Sequence, residues 1–383
     1  MKKIRVAVIF GGKSGEHEVS LASARSVMAA IDKNKYEIYP IGITKSGRWL
    51  TTGDPMAQLL AGGEALAGEL PADAGGQMVA AAPEAASTGS PLVAERRELL
   101  PGTSQARFPA VDVVFPVLHG PYGEDGTIQG LLELADLPYV GAGVLGSALG
   151  LDKAAMKAVF VANHLPMADY ALVMRREWRA GPERVLADLE GRFSYPLFVK
   201  PANLGSSVGV SKAHGRGELQ RGLDLAARFD RKLLVEVAIN AREIECSVLG
   251  NDDPVASVLG EVVPSSEFYD YQAKYIDNAS ELHIPADLPA ETARLIRQLA
   301  VRAFVALDCA GMARADFFVC RDTDRAYLNE LNTIPGFTQI SMYPKLWAAS
   351  GLPYPELVDR LIALALERYQ DKHLSETSYS FDH

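Results

Sequence analysis

The sequence predicts a multidomain protein of mixed α/β and α+β class, and three observations lead there. At 383 residues the chain is too long for one small core, since domains run to roughly 100–200 residues. Its first part alternates apolar strand-like runs with helical periodicity, the pattern of a parallel sheet covered on both faces. Beyond Leu151 strands and helices mix without that alternation, which is α+β in character.

Taken in order, the chain opens with a strand over Ile4–Phe10, a glycine turn at Gly11-Gly12, and a helix whose apolar positions recur at Val19, Ala22, Val27 and Ile31. Further strands are expected at Glu37–Ile43 and Val111–Leu118. Between Gly53 and Gln105 the composition shifts to Ala, Gly, Pro and Ser with little periodicity. That stretch reads as a surface excursion with room for a small hairpin, not as a domain. A helix is expected at Asp152–Asn163, two strands joined by a Gly/Ser turn over Phe198–Val210, and another strand at Leu233–Glu236. The remainder gives strands at Ile244–Leu249, Ala313–Cys320 and Ala326–Leu331, and helices at Glu291–Ala306 and Pro355–Tyr369. Ser375–His383 is polar and reads as a frayed end. No internal repeat is present.

Composition narrows the function classes. A hydrophobic share of 48% with 22% charged residues is ordinary for a globular protein. Lys+Arg 38 against Asp+Glu 48 gives a net charge of −10. That excludes a general nucleic-acid binder, which needs a basic surface to displace counterions, but leaves room for a basic pocket holding a small phosphate compound. The cysteines Cys246, Cys309 and Cys320 are too few and too scattered for a disulfide framework or a zinc site. They read as small apolar residues of a reducing compartment. The apolar run after Met1-Lys2-Lys3 is too short for a signal peptide, and no stretch of about 18 apolar residues suggests a membrane span. A cytoplasmic, catalytic protein is expected.

Four segments carry the chemistry. Gly11–Ser20 is a glycine-rich strand-to-helix turn without the G-x-G-x-x-G spacing, and its Glu16 and Glu18 would repel a pyrophosphate. A carboxylate there suits a cationic ligand such as an ammonium group, or it simply complements the helix dipole. Lys200–Val210 sets a lysine at a strand end before a turn of small residues, able to cover phosphates with N–H groups and one cation, or to be an ordinary hairpin. Arg314-Ala315-Asp316 and Asn329-Glu330-Leu331-Asn332 lie on two strands joined by a turn at Asp322-Thr323. Period two puts Glu330 and Asn332 on one face, with Asp316 opposite Asn329 or Glu330. Two carboxylates and an amide oxygen converge, with no His or Cys, which selects a hard cation such as Mg²⁺ bridging phosphates. The Pro335-Gly336 turn that follows exposes N–H groups suited to an oxyanion. Two lesser segments are the Tyr-rich Phe268–Tyr275, which suits a lid or packs its tyrosines on a surface, and His119–Gly126, where His119 either lines a cleft or is a hydrogen-bonded structural histidine.

Together these segments resemble the D-alanine–D-alanine ligases of the ATP-grasp superfamily. The matching pieces are Gly11-Gly12-x-Ser14-x-Glu16-x-Glu18-Val19-Ser20, His119-Gly120 with Gly123–Gly126, Leu151-Asp152-Lys153, Lys200-Pro201 with Gly205–Gly209, Arg242–Glu245, Phe268–Tyr271 with Lys274-Tyr275, Arg314-x-Asp316, and Asn329-Glu330-x-Asn332-Thr333-x-Pro335-Gly336. They are collinear and span almost the whole chain; the Gly53–Gln105 excursion carries none. The resemblance implies an ATP-grasp architecture behind a Rossmann-like N-terminal domain, with units at 1–141, 142–239 and 240–383. It implies Lys153 and Lys200 on the phosphates of ATP, with Ser207 and Lys274 also on the nucleotide. Glu236, the backbone at Val237 and Ile239, and Glu243 would hold the adenosine. Asp316, Glu330 and Asn332 would ligate two Mg²⁺, with Mn²⁺ as a substitute. Glu16 would grip the ammonium of the first D-alanine, joined by Ser206 and Tyr275 of the closing lid. Arg314 and the Gly336 N–H would stabilise a tetrahedral oxyanion, and His119, Ser341 and the Met342 backbone would contact substrate. The implied activity is the joining of two D-alanines through an acyl phosphate for peptidoglycan precursors, by a homodimer. The lid residues resemble those of dipeptide-forming members more than those of relatives using D-lactate.

Overall fold

The structure is a computed structural model in which residues 2–61, 110–205, 208–263 and 281–376 are described; they form three sheets with helices laid on them. The first part contains β1 (Ile4–Gly11), α1 (His17–Ala30), β2 (Tyr36–Ile43), β3 (Trp49–Leu50), α2 (Pro55–Leu60) and β4 (Val113–Val117). β1 lies between β2 and β4, parallel to both, with β3 antiparallel on the outer side of β2. Val6 to Phe10 are all buried, as expected of a central strand covered on both faces. Of the Gly53–Gln105 excursion, only its start through α2 falls within the described residues.

α1 turns a different face inward from the one that apolar spacing suggests. Ser20, Leu21, Ser23, Ala24 and Val27 are buried while Ala22 is exposed. Polar side chains take the inner face because they satisfy strand-end backbone: Ser20 Oγ accepts from the Gly11 N–H at 2.8 Å and donates to the Val117 carbonyl.

Next come α3 (Thr127–Leu134), α4 (Val144–Leu151) and α5 (Lys153–Ala162). Asp152 starts α5 by accepting from the Ala154 and Ala155 N–H groups, each at 3.1 Å. The second sheet is built from β5 (Tyr170–Met174), α6 (Arg175–Ala180), α7 (Pro182–Arg192), β6 (Leu197–Pro201), β7 (Ser211–Ala213), α8 (Arg216–Phe229) and β8 (Lys232–Val237). Its strands are antiparallel in the order β5-β8-β6-β7. The strand pair expected over Phe198–Val210 is corrected here. β6 stops at Pro201 and its partner starts only at Ser211, because the Gly- and Ser-rich segment between them offers few side chains to pack on a sheet.

The third sheet holds β9 (Ala241–Gly250), β10 (Val255–Val263), β11 (Glu281–His283), β12 (Gly311–Cys320) and β13 (Ala326–Asn332), antiparallel in the order β11-β10-β9-β12-β13, with α9 (Ala290–Ala306) between β11 and β12 in the chain. Ile296, Leu299 and Phe304 of α9 share a core with Ile244, Val248, Ala313 and Phe317 of the strands, and with Met156 and Phe160 of α5. Finally α10 (Met342–Ala349) lies against β9 and β10, and α11 (Tyr354–Lys372) returns to the first sheet. Leu357, Val358, Leu361 and Ile362 of α11 join Val6, Val8, Phe10 and Phe115 in one cluster.

Leu361 is fully buried in that shared cluster, so Leu361→Ala should destabilise the protein by about 2–5 kcal/mol. Urea unfolding followed by tryptophan fluorescence measures this. A loss well below that range would show that the helix does not contribute to the N-terminal core.

Candidate active site

On β12, period two sets Arg314 and Asp316 on one face; on β13 it does the same for Glu330 and Asn332. The register pairs Arg314 with Asn332 and Asp316 with Glu330, then slips so that Phe317 pairs with Leu328. The bulge is at Asn329, so Asp316 faces Glu330 and not Asn329. Arg314 grips Asp316 through Nε and Nη2, both at 2.7 Å, and Asn332 Nδ2 donates to the same carboxylate at 3.0 Å. A residue of the Arg242–Glu245 segment to which sequence assigns no role completes this face: Glu245 on β9 lies opposite Asp316, with Oε2 3.0 Å from Arg314 Nε. Burial opposes the charge on Arg314, but Asp316 and then Glu245 more than offset it, so the pKa of the guanidinium lies above its usual range.

The lysines approach from the other side. Lys153 opens α5, donates to the Leu204 carbonyl at 3.0 Å and stands 3.3 Å from Glu330 Oε2. Lys200 on β6 lies 2.5 Å from Glu236 Oε2 and 3.4 Å from Asn329 Oδ1. Glu236, expected at the adenosine, has its buried carboxylate between two lysines, Lys200 on one oxygen and Lys157 at 2.7 Å on the other. Burial alone would raise its pKa, yet Lys157 and Lys200 outweigh burial and hold it at about 2. Lys157 was not singled out from sequence; its spacing of four from Lys153, one helical turn, was the available signal. The Val237 N–H donates to the Asp169 carbonyl at 3.0 Å. Val237 and Ile239 are both half-buried at the end of β8, and Glu243 is half-buried on β9. Ser206, Ser207, Lys274 and Tyr275, with the rest of the lid, lie outside the described residues.

Glu16 sits at the N-cap of α1 without capping it. Its carboxylate is turned instead toward two loops: a Cβ on Gly120 would fall 2.6 Å from Oε2, and one on Gly205 would fall 2.8 Å from it. Glycine at both places lets the first- and second-sheet loops close on this one oxygen. Glu124 lies close by, accepting from the Gly120 N–H at 2.6 Å and the Ile334 N–H at 3.1 Å. Burial, reinforced by the charge of Glu16, pushes its carboxyl up to about 8. Glu124 is thus protonated at neutral pH, and the Glu16 carboxylate is the negative charge that an ammonium group would neutralise there.

His119 is buried, its Nδ1 facing the Ile334 carbonyl at 3.0 Å and its Nε2 facing Ser23 Oγ at 3.1 Å. Nδ1 must therefore carry the proton, and burial lowers the pKa of the ring. Both ring nitrogens are spent on the protein, so the imidazole positions the Ile334–Gly336 turn and offers neither nitrogen to a substrate. A Cβ on Gly336 would lie 3.2 Å from Ser341 Oγ, which in turn meets Thr338 Oγ1 at 2.8 Å. Met342 is buried against Val262 and Leu346 at the start of α10.

These pieces form one line. Glu16 abuts Gly205, the adjoining Leu204 carbonyl holds Lys153, and Lys153 reaches Glu330 beside Asp316. Within the cluster Lys153, Lys157, Lys200 and Arg314 are matched by Glu236, Glu245, Asp316 and Glu330. The sum is zero but uneven: Lys157 and Lys200 share Glu236 at one end, whereas Asp316 and Glu245 share Arg314 at the other, so an added divalent cation fits the acidic end. Among the described residues no group of three His, Cys, Asp or Glu side chains forms a metal cluster by itself. The all-oxygen set of Asp316, Glu330 and Asn332 fits a hard cation.

Comparison with known proteins matches the family profile described as D-ala D-ala ligase N-terminus over residues 5–142 and that described as D-ala D-ala ligase C-terminus over residues 159–363. A D-alanine--D-alanine ligase from Ruminiclostridium cellulolyticum is 54% identical over 381 residues, 99% of each chain. One from Chloroherpeton thalassium is 51% identical, covering 98% of this chain and 99% of that one. The solved D-alanine-D-alanine ligase of Coxiella burnetii superposes with a TM-score of 0.77 at 36% identity, covering 97% of this chain and 98% of the other. A D-Ala:D-Ser ligase from Enterococcus faecalis gives 0.77 at 34% identity, over 95% of this chain and 100% of its own.

Glu236→Gln strands two buried ammonium groups, a loss on the order of 3–5 kcal/mol at neutral pH. The native carboxylate has a depressed pKa, so its contribution is present above the ~4.3 of an unfolded glutamate and is lost as pH falls toward about 2. Urea midpoints measured from pH 7 downward should show the gap between variant and parent closing in acid. A constant gap would mean that the carboxylate charge is not what stabilises the site.

Proposed function

The chain belongs to the family of D-alanine–D-alanine ligases, and we propose that its residues carry the ATP-dependent joining of two D-alanines in the following roles. The observation that carries this reading is the unbroken line from the Glu16 pocket through Leu204 and Lys153 to the Asp316–Glu330 face. In this reading the line holds an ammonium site, a phosphate site and an acidic metal face side by side.

A free carboxylate acylates amines poorly because its leaving group would be oxide. Phosphorylation supplies a better one. The first D-alanine is held with its ammonium group at Glu16 and its carboxylate toward the Arg314 face. A carboxylate oxygen forms a bond to the γ-phosphorus as the β–γ bridging oxygen departs with ADP. Lys153 and Lys200 offset charge on the phosphates throughout. The amine of the second D-alanine then attacks the acyl carbon and loses a proton, and phosphate leaves with the electrons of its C–O bond. The Arg314 guanidinium and the Gly336 N–H stabilise the oxyanion of that step. Ser341 and the Met342 backbone receive the second carboxylate. From resemblance alone, Ser206 and Tyr275 act with Glu16, and Ser207 and Lys274 with the nucleotide. Glu243 and the backbone at Val237 and Ile239 line the adenosine site, and the half-burial of all three residues is consistent with this.

Mg²⁺ is the proposed metal, with Mn²⁺ able to replace it; Asp316, Glu330 and Asn332 would hold it, and when bound it supplies Lewis-acid neutralisation of phosphate charge. Units at 1–141, 142–239 and 240–383 are proposed on the ground that one sheet falls in each, although α5 and α11 pack across these limits. A homodimer is proposed from resemblance. A cytoplasmic location is proposed too; among the described residues no helix is long and apolar enough to cross a membrane.

Incubation with Mg-ATP and D-alanine should release ADP and phosphate in step with a product of D-alanyl-D-alanine mass, and L-alanine should give none. Tight ATP binding without dipeptide would keep the scaffold and discard the substrate. Glu330→Gln should lower turnover at least ~100-fold, the scale of losing several kcal/mol of metal-borne stabilisation, with circular dichroism unchanged. Full turnover in that variant would remove the metal face. Chelation by EDTA should abolish activity, and Mg²⁺ or Mn²⁺ should restore it.

A further inference from the structure

We infer that Lys157 is a positioning residue for nucleotide binding: by holding the far oxygen of Glu236, it leaves Lys200 with an uncompensated positive charge for the phosphates. A lysine in the middle of a helix ordinarily reaches solvent, but this one is only 1% exposed. Burying an ammonium costs several kcal/mol unless it is paired. Its Nζ lies 2.7 Å from Glu236 Oε1 and 3.4 Å from the Asn329 carbonyl, and 5.6 Å from the centre of the Tyr170 ring. The other oxygen of Glu236 lies 2.5 Å from Lys200 Nζ.

The arithmetic of the triad is two ammonium groups to one carboxylate. Without Lys157, Glu236 and Lys200 would form a neutral pair, and a polyanion arriving at Lys200 would have to compete with the carboxylate for it. With Lys157 present, Glu236 is satisfied from behind and the surplus charge falls on Lys200. Lys200 is the better placed to deliver it, since its side chain keeps 11% of its surface against 1% for Lys157. Lys157 therefore never needs to touch the ligand. The pKa shifts agree in direction: burial lowers that of Lys157, whereas for Lys200 Glu236 and Glu330 outweigh burial and raise it.

The inference rests on the reading that Lys200 meets the phosphates of ATP, and the variants separate the two. In the full-length protein, Lys157→Met should raise the KM for ATP about tenfold, the scale of one charge lost at close range. The KM for D-alanine should stay within about twofold. Lys157→Met combined with Glu236→Gln should return the KM for ATP to within about threefold of the parent, because Lys200 regains its surplus charge. A merely structural lysine would predict the opposite, since a second buried substitution would deepen the damage. Lys157→Arg keeps the charge and should retain ATP binding, measured by calorimetry, even if the methionine variant folds poorly. An unchanged KM for ATP in Lys157→Met, or no recovery in the double variant, overturns the inference. Lys200→Met serves as the control. If it leaves ATP affinity intact, the phosphate role of Lys200 falls and the inference falls with it. If it weakens ATP while Lys157→Met does not, only the inference about Lys157 falls.

Discussion

A charge taken out of water has to be paired, and in this protein the partners come from different sheets. Lys157 reaches from α5 to Glu236 on β8; Lys200 reaches from β6 to Asn329 on β13; Lys153 ties the loop after β6 to Glu330. The neutral polar groups act in the same way, for His119 at the end of β4 and Glu124 in the loop after it both bind the backbone of Ile334, far along the chain. None of these groups could be left alone in the interior. Their pairing joins three separately formed sheets into one site. The lysines that hold carboxylates here are also those suited to phosphates, so ligand and scaffold draw on the same charges. A local change in charge at one sheet is therefore felt at the next.

Much of this was legible in the sequence, because strand periodicity and turn chemistry are local. Asp316, Glu330 and Asn332 could be set on one face from a period of two and a turn. Glu16 could be separated from a phosphate loop by the sign of its charge. The bulge at Asn329 could not be read, since a slip of register depends on both strands at once. Lys157 was missed, and Glu245 left without a role, for a related reason. Each looks like a routine polar residue on its own element, and only the approach of β8 or β12 reveals its partner. Several elements escaped as well. β10 has Ser257 and Gly260 interrupting its apolar run, and α8 is one of three helices, with α6 and α7, in a stretch where no helix was expected. On α1, Ser20 and Ser23 displaced apolar residues from the inner face because strand-end backbone needed hydrogen-bond partners more than the core needed methyl groups.

The resemblance to a family of ligases and the geometry agree most closely where loops meet. Gly120 and Gly205 belong to different sheets, yet each is shaped to the same oxygen of Glu16. Sequence shows them only as glycines in turns. The structure gives them a common reason, which is that a larger side chain on either would separate the loops and open the pocket between them.

The return of α11 to the first sheet bears on how the chain is made. Val6, Phe10 and Phe115 emerge from the ribosome before the second and third sheets, but the Leu357, Leu361 and Ile362 that cover them emerge only after both. Until then one face of the N-terminal sheet has only part of its covering and stays open to unwanted association. The first sheet to be synthesised is thus among the last parts to be sealed. The emergence of α11, and not that of its own strands, marks the moment when the N-terminal sheet can close its interior.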